Sequence, residues 1–281
     1  MGFRAALATN ARSISTSDRR VLNVLLTEEE ASGLTAAQVA ERAQAHESTV
    51  VRLAQKLGYR GYAELRTDLR RDESSDRAPS GVMRSQTGHD VASLAEDEAA
   101  ALTLMGRHLR QEDVDAAARA VHDSARVYLY TSVGAREAVD LLARRLKRLG
   151  KVVVPIGPTA REIAEGFVTF GADCLLMAFA LREAPTSLPA LVAAAQDRGG
   201  RVVLVTDTPG YEFEPRPDHV LAAGRGRDSE YNTLLVPMAI VYALQLAVHH
   251  LDAGHYTAVR ESIDDLTRLV GGRGEVPLRP S

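Results

Sequence analysis

Ser48, Thr49, Arg52, Gln55 and Lys56 bring short donors and acceptors, a guanidinium and an ammonium close together in the chain. Those are the groups that read duplex DNA. Hydroxyls and side-chain amides bond to base edges in the major groove, an Arg takes a guanine bidentately, and a Lys neutralises a phosphate. The pattern around them predicts a helix from about Glu47 to Leu57, because Val50, Ala54 and Leu57 recur at i, i+4 and i+7 and claim one face. Gly58 is placed to end it. The polar residues then form the opposite, outer face.

Before this helix in the chain, a second helical stretch starts after Thr35 and carries Val39, Ala40 and Ala43. It is joined to the first by the short connection Gln44 to His46, which is helix-turn-helix geometry. An earlier helix begins near Ser17, a good N-cap residue, and places Val21, Val24 and Leu25 on one face. The segment from Arg42 to Arg71 holds seven basic residues against three acidic ones in a chain whose total charge is −3, so positive charge is concentrated at this end. The competing interpretation is an ordinary three-helix bundle with a polar, solvated surface. An RNA-binding module finds little support, since no sheet of stacking aromatics accompanies the basic segment.

The run from Asp72 to Asp90 is rich in Ser, Asp, Gly and Pro and reads as a linker. The expected division is therefore residues 1–77, a linker at 78–92, and a second domain at 93–281. From Arg126 onward, apolar runs alternate with helical stretches. Strands are expected at Val127 to Ser132, Lys151 to Ile156, Asp173 to Leu181 and Arg201 to Asp207, with helices at Ala135 to Leu149 and Leu188 to Asp197. The fold class is an all-α helix-turn-helix domain followed by an α/β domain with a parallel sheet covered by helices on both faces. Ligands of such sheets sit beyond the carboxyl ends of the strands. Here those ends are Ser132 to Arg136, Pro155 to Thr159, Ala180 to Thr186 and Thr206 to Gly210.

Composition excludes several classes. Hydrophobic residues at 45% and charged residues at 25% are ordinary globular values. The single cysteine, Cys174, rules out an internal disulfide, and no Cys/His spacing suits zinc, so no metal and no cofactor are expected. Cys174 itself reads as core. The start of the chain is too poor in apolar residues for a signal peptide, and a cytoplasmic location is expected. Tyr231 to Leu251 lacks Asp, Glu, Lys and Arg, yet Asn232, Pro237, Gln245, His249 and His250 interrupt it. It is read as a buried or subunit-interface helix, with no membrane partner. His249 and His250 face different ways on that helix and are assigned surface or capping roles.

The run Thr49-Val-Val-Arg-Leu-Ala-Gln-Lys-Leu-Gly58-Tyr-Arg-Gly-Tyr-Ala-Glu-Leu65-Arg66 resembles the end of the helix-turn-helix domain of the RpiR family of bacterial transcriptional regulators, over roughly Leu7 to Arg71. The resemblance implies a dimeric or tetrameric regulator that binds a double-stranded operator, with Arg60 and Arg66 as phosphate contacts and Tyr59 and Tyr62 as packing residues. The chain departs from the family at Gln44-Ala45-His46, where Gly-Val-Ser is common. The second half, from about Ala95 to Val270, resembles the sugar isomerase (SIS) domain that usually accompanies this helix-turn-helix. Asp140-Leu-Leu-Ala-Arg-Arg-Leu-Lys-Arg-Leu-Gly150 and Asp197-Arg-Gly-Gly-Arg-Val-Val-Leu-Val-Thr206 carry the likeness.

SIS domains hold phosphosugars or amino-sugar derivatives through hydroxyl-rich loops, and this chain lacks the usual ones. Arg136 stands where a first-loop Ser is expected, and the loop after the third strand reads Ala180-Leu-Arg182-Glu183-Ala-Pro185 before the first hydroxyl, Thr186. Two arginines, Arg136 and Arg182, offer an anion clamp instead. Arg182 pairing with Glu183 is the equal alternative. The expected effector residues are Ser132, Gly134, Arg136, Arg182, Thr186 and Glu230; Ser229 and Glu230 follow the loop Gly224 to Asp228, which imitates a phosphate-binding turn although a lone glycine pair is weak evidence for one. The functional expectation is a regulator that senses a small anionic metabolite such as a sugar phosphate. A phosphosugar isomerase with an accessory N-terminal domain is the alternative, for which no general base can be named.

Overall fold

A computed structural model describes residues 3–10, 14–28, 31–76, 91–131, 133–182, 184–225 and 233–271. Among the described residues, the first domain holds five α-helices: α1 (Phe3–Asn10), α2 (Thr16–Thr27), α3 (Ala36–Arg42), α4 (Glu47–Lys56) and α5 (Tyr62–Asp76). Two of them start in capping boxes. The Ser15 hydroxyl accepts from the Asp18 amide while the Asp18 carboxylate accepts from the Ser15 amide, and Thr35 and Gln38 do the same for α3. Ser15, not Ser17, is therefore the N-cap of α2. Buried Leu7, Val21, Leu22, Val39, Leu53 and Leu65 lie in one apolar cluster that joins these helices.

Two features of this domain differ from expectation. The helix α1 was not anticipated, although Phe3, Ala6 and Leu7 are spaced for one face and are all buried. The helix α5 runs to Asp76, past the start of the expected linker at Asp72, because a polar composition does not prevent a helix. The remainder of that linker, residues 77–90, lies outside the described residues.

The second domain begins with α6 (Val91–His108) and α7 (Gln111–Asp123), then β1 (Arg126–Thr131), α8 (Arg136–Arg148), β2 (Val152–Pro155), α9 (Ala160–Phe167), β3 (Cys174–Ala180), α10 (Leu188–Asp197) and β4 (Arg201–Thr206). A fifth strand, β5 (His219–Ala222), is too short to have stood out in the sequence. The helices α11 (Leu235–Leu251) and α12 (Ala253–Val270) complete it. The strands form one parallel sheet in the order β2-β1-β3-β4-β5.

Alternation along each strand builds two cores, one per face. Val127, Leu129, Leu175, Met177, Val203 and Val205 point to the face covered by α7, α8 and α11. Tyr128, Tyr130, Leu176, Ala178, Val202 and Leu204 point to the other, where they meet Phe167, Phe170 and Leu191. Every residue of β3 is buried, which explains its unbroken apolar sequence. Cys174 is part of that core.

The helix α11, expected as a buried or subunit-interface element, spends most of its apolar surface inside its own domain. Val236, Ile240, Val241, Leu244 and Val248 are buried there, while Leu235, Tyr242 and Leu246 remain exposed. Among the described residues, no single helix is long and apolar enough to cross a membrane.

Candidate DNA-reading face and candidate effector site

The turn between α3 and α4 is shaped by backbone hydrogen bonds. The Ala45 amide donates to the Ala40 carbonyl at 2.9 Å and the Gln44 amide to the Glu41 carbonyl at 3.1 Å, a Schellman stop with Gln44 in the left-handed region at φ 48°. Helix α4 ends the same way, with Gly58 at φ 91°, the Tyr59 amide on Ala54 and the Gly58 amide on Gln55. One stop uses the residue suited to it and the other bears a small strain. His46 is the N-cap of α4, and its side chain makes no capping hydrogen bond.

Helix α4 packs through Val50, Leu53, Ala54 and Leu57, and its exposed side carries Ser48, Arg52, Gln55 and Lys56. Thr49 does not join that side. It is 5% exposed, since it falls on the inward stripe one turn before Leu53, and this corrects the expectation that it belongs to the outer face. The Lys56 ammonium is ion-paired with Asp18, tying α4 to α2. Burial by itself raises the Asp18 carboxyl, but hydrogen bonds from Lys56 and from Ser15, together with the Lys56 charge, outweigh it and hold the group below its ordinary value. Arg60 is almost fully exposed, 3.9 Å from Glu64, whereas Arg66 is half-buried on α5. Tyr59 and Tyr62 are buried, with hydroxyls donating to Asp68 at 3.1 Å and to the Leu34 carbonyl at 3.0 Å.

In the second domain the expected effector residues separate by strand. Gly134 lies in a 3-10 turn after β1 and Arg136 opens α8; both are exposed. Arg182 and Thr186, also exposed, follow β3. Since β1 and β3 are neighbours, and the chain turns to opposite sides of the sheet after each, these loops flank the switch point where parallel sheets bind ligands. Ser132, Glu183, Ser229 and Glu230 lie outside the described residues.

Sequence reasoning missed a polar centre at this edge. Asp207, directly after β4, accepts from the Arg225 Nε at 2.7 Å, and both side chains are nearly inaccessible, at 7% and 5% exposure. The other carboxylate oxygen accepts from the Arg182 amide at 2.8 Å, where Arg182 adopts φ 64°. The carboxylate thus joins the loop after β3 to the segment after β5. A register signal existed, because Thr206 pairs with Ala222 and the residues beyond them must lie side by side, but β5 had to be recognised first.

From Asp207 the chain continues into a loop that reaches the first domain. Gly210, at φ 85°, sits so close to Ile14, Leu22 and Leu7 that a Cβ there would lie 3.4–3.8 Å from their side chains. Arg19 donates to the Glu212 carboxylate at 2.9 Å, and the Asn23 side chain exchanges hydrogen bonds with the Glu212 carbonyl and amide at 3.2 and 3.3 Å. Arg19, His108, Tyr211, Glu212 and Arg216 line a cavity of about 430 Å³ between the two domains.

Residues 1–76 match the model of the helix-turn-helix domain of the rpiR family. No curated protein matches the chain. Among solved structures, the Vibrio vulnificus NanR protein complexed with ManNAc-6P is similar over 96% of this chain and 100% of its own, with 19% identity and a TM-score of 0.57. The sugar isomerase domain of an RpiR transcription factor from Sphaerobacter thermophilus is similar over 62% of this chain and 97% of its own, with 17% identity and a TM-score of 0.55. At such identities the likeness speaks for the fold. The first 76 residues thus match the rpiR helix-turn-helix domain and are joined to an α/β domain folded like a sugar isomerase domain.

Proposed function

We propose that this chain is a transcriptional regulator: the face of α4 enters the major groove of an operator, and the α/β domain binds a small anionic metabolite that changes operator affinity. The observation that carries the reading is the exposed set Ser48, Arg52 and Gln55 on the second helix of a family-matched helix-turn-helix, held away from the core by Val50, Leu53 and Leu57. Lys56 and Arg60 flank it as phosphate contacts, Lys56 in exchange for its bond to Asp18, and Arg66 is a weaker candidate because it is half-buried. Thr49 is left out.

The metabolite belongs to the carbohydrate derivatives, a sugar phosphate foremost, with Gly134, Arg136, Arg182 and Thr186 lining its site. Support comes from the position of these residues at the switch point, and from the phosphosugar held by the similarly folded NanR protein. The loop from Asp207 to Glu212 supplies a route to the reading head, as it touches the sheet edge at one end and α2 at the other. Such coupling requires the metabolite to favour one arrangement of the two domains. A second copy of the chain presents the second reading head, with exposed Leu235, Tyr242 and Leu246 of α11 and Leu266 and Leu269 of α12 as the apolar faces that meet.

Gel shifts of the full chain on the DNA upstream of its own gene test the reading, run with and without a panel of sugar phosphates and sugar acids. Retarded DNA whose fraction changes with one of the metabolites is expected. DNA that is never retarded at low salt contradicts it. Turnover in an aldose–ketose interconversion assay would favour the isomerase instead.

A further inference from the structure

Arg225 has an unfinished set of hydrogen bonds. It is 8% exposed and its Nε is committed to Asp207, yet its Nη2 is buried and has no hydrogen-bond partner among the described residues. A guanidinium nitrogen that has given up water without gaining an acceptor is disfavoured, and one place where proteins keep such a group is a site that a ligand completes. The location fits. Arg225 lies three residues past the carboxyl end of β5, on the same carboxylate that fixes the Arg182 amide beyond β3.

We infer that Arg225 holds the anionic group of the metabolite, with Asp207 as its positioning residue. This rests on the reading of the α/β domain as an effector domain, and it shifts the centre of the site from the exposed pair Arg136 and Arg182 to a buried guanidinium. Asp207 grips one edge of the plane, so the orientation of the remaining nitrogens is set before the ligand arrives, and less conformational freedom is lost on binding. A phosphate monoester or a carboxylate supplies charged acceptors for them. A neutral sugar does not. Of the residues that meet at the Asp207 carboxylate, Arg182 and Arg225 are cationic and Asp207 alone is acidic, which favours an anion entering from solvent.

The ligand's charge falls on a group that also shapes the interdomain loop. Asp207 is the first residue of the segment that leads to Gly210 and Glu212 against α1 and α2. Drawing Arg225 toward an anion alters its hold on Asp207, and so biases the loop.

The experiment is isothermal titration of the full chain with N-acetylmannosamine 6-phosphate, inorganic phosphate, gluconate and neutral N-acetylmannosamine. The wild type is compared with Arg225→Ala, Arg225→Lys and the double variant Asp207→Asn/Arg225→Met. The double variant removes both buried charges together and keeps the volume, so it separates lost binding from lost folding, which a thermal melt confirms. The expected result is binding of at least one anion, no comparable binding of the neutral sugar, and affinity weakened about tenfold or more by Arg225→Ala and by the double variant. Arg225→Lys recovers part of it. The inference is overturned if Arg225→Ala binds the anion as the wild type does, if the neutral sugar binds equally well, or if no anion binds. Loss of binding confined to Arg136→Ala and Arg182→Ala would overturn it while leaving the effector reading intact. Wild-type protein that fails to retard the upstream DNA is the separate signature of a failed regulator reading.

Discussion

Two arginines, one in each domain, are held in opposite ways. Arg52 projects from an exposed helix face whose inner residues alone determine its position. Arg225 is enclosed, with one nitrogen bound to a buried carboxylate and another without an acceptor among the described residues. An exposed guanidinium stays hydrated and adaptable, which suits a polyanion that approaches from solvent and is felt at a distance. A buried one has already lost its water and fixed its orientation, which suits a small ligand that must be distinguished from others. The proposed reading face depends on the packing beneath it, the proposed effector site on the completeness of its polar partners.

If that contrast is right, the largest effect comes from undermining the support of Arg52 without touching Arg52. Leu53 is fully buried, and Leu53→Ala is expected to destabilise the reading domain by about 2–5 kcal/mol. Operator binding should fall with it, while metabolite binding persists. Differential scanning calorimetry should show the transition of the first domain moving down and that of the α/β domain staying in place; equal destabilisation of both domains would break the contrast.

Smaller effects sharpen it. Thr35→Ala removes the capping box of α3 and should cost about 0.5–2 kcal/mol, whereas His46→Ser gives α4 the cap it lacks and should recover a gain of about 0.5–1 kcal/mol, both read from urea melts. Acid probes the Asp18–Lys56 tie. Because the folded carboxyl lies below its ordinary value, its contribution is complete above that value and is lost as pH falls through the folded one. The reading domain should lose stability over that acid range, and Asp18→Asn should flatten the loss in a circular-dichroism series. The smallest effect on stability is expected at Arg19 and Glu212, each more than a third exposed. Arg19→Ala should change stability by only about 0.2–1 kcal/mol, yet it should reduce the response of operator binding to the metabolite.

The same contrast explains what the sequence made legible. Helix α4 could be placed from Val50, Ala54, Leu57 and Gly58 because its face is set by local periodicity, and Leu53 extends the same stripe. Thr49 was misplaced since a small hydroxyl residue fits either side of a helix, and only packing against α2 and α3 decides. The parallel sheet was visible in its apolar runs, but β5 was not, because four residues give too little pattern. The pair of Asp207 with Arg225 depends on β5 lying beside β4, a contact between segments 18 residues apart that no local spacing encodes. The clamp expected from Arg136 and Arg182 follows from residues that stand in place of missing hydroxyls, whereas Arg225, inside the glycine-containing loop from Gly224 to Asp228, gains its carboxylate partner only through the fold.

The central claim is that Arg52 and its neighbours read base edges. Fluorescence anisotropy of the full chain on labelled DNA from its own upstream region, against a scrambled duplex of equal length, tests it most directly. The account predicts that Arg52→Ala weakens binding to the upstream DNA by about 1–3 kcal/mol and leaves the scrambled duplex much less affected, so that the two affinities converge. An unchanged preference for the upstream sequence in the variant, or equal affinity of the wild type for both duplexes, would contradict it.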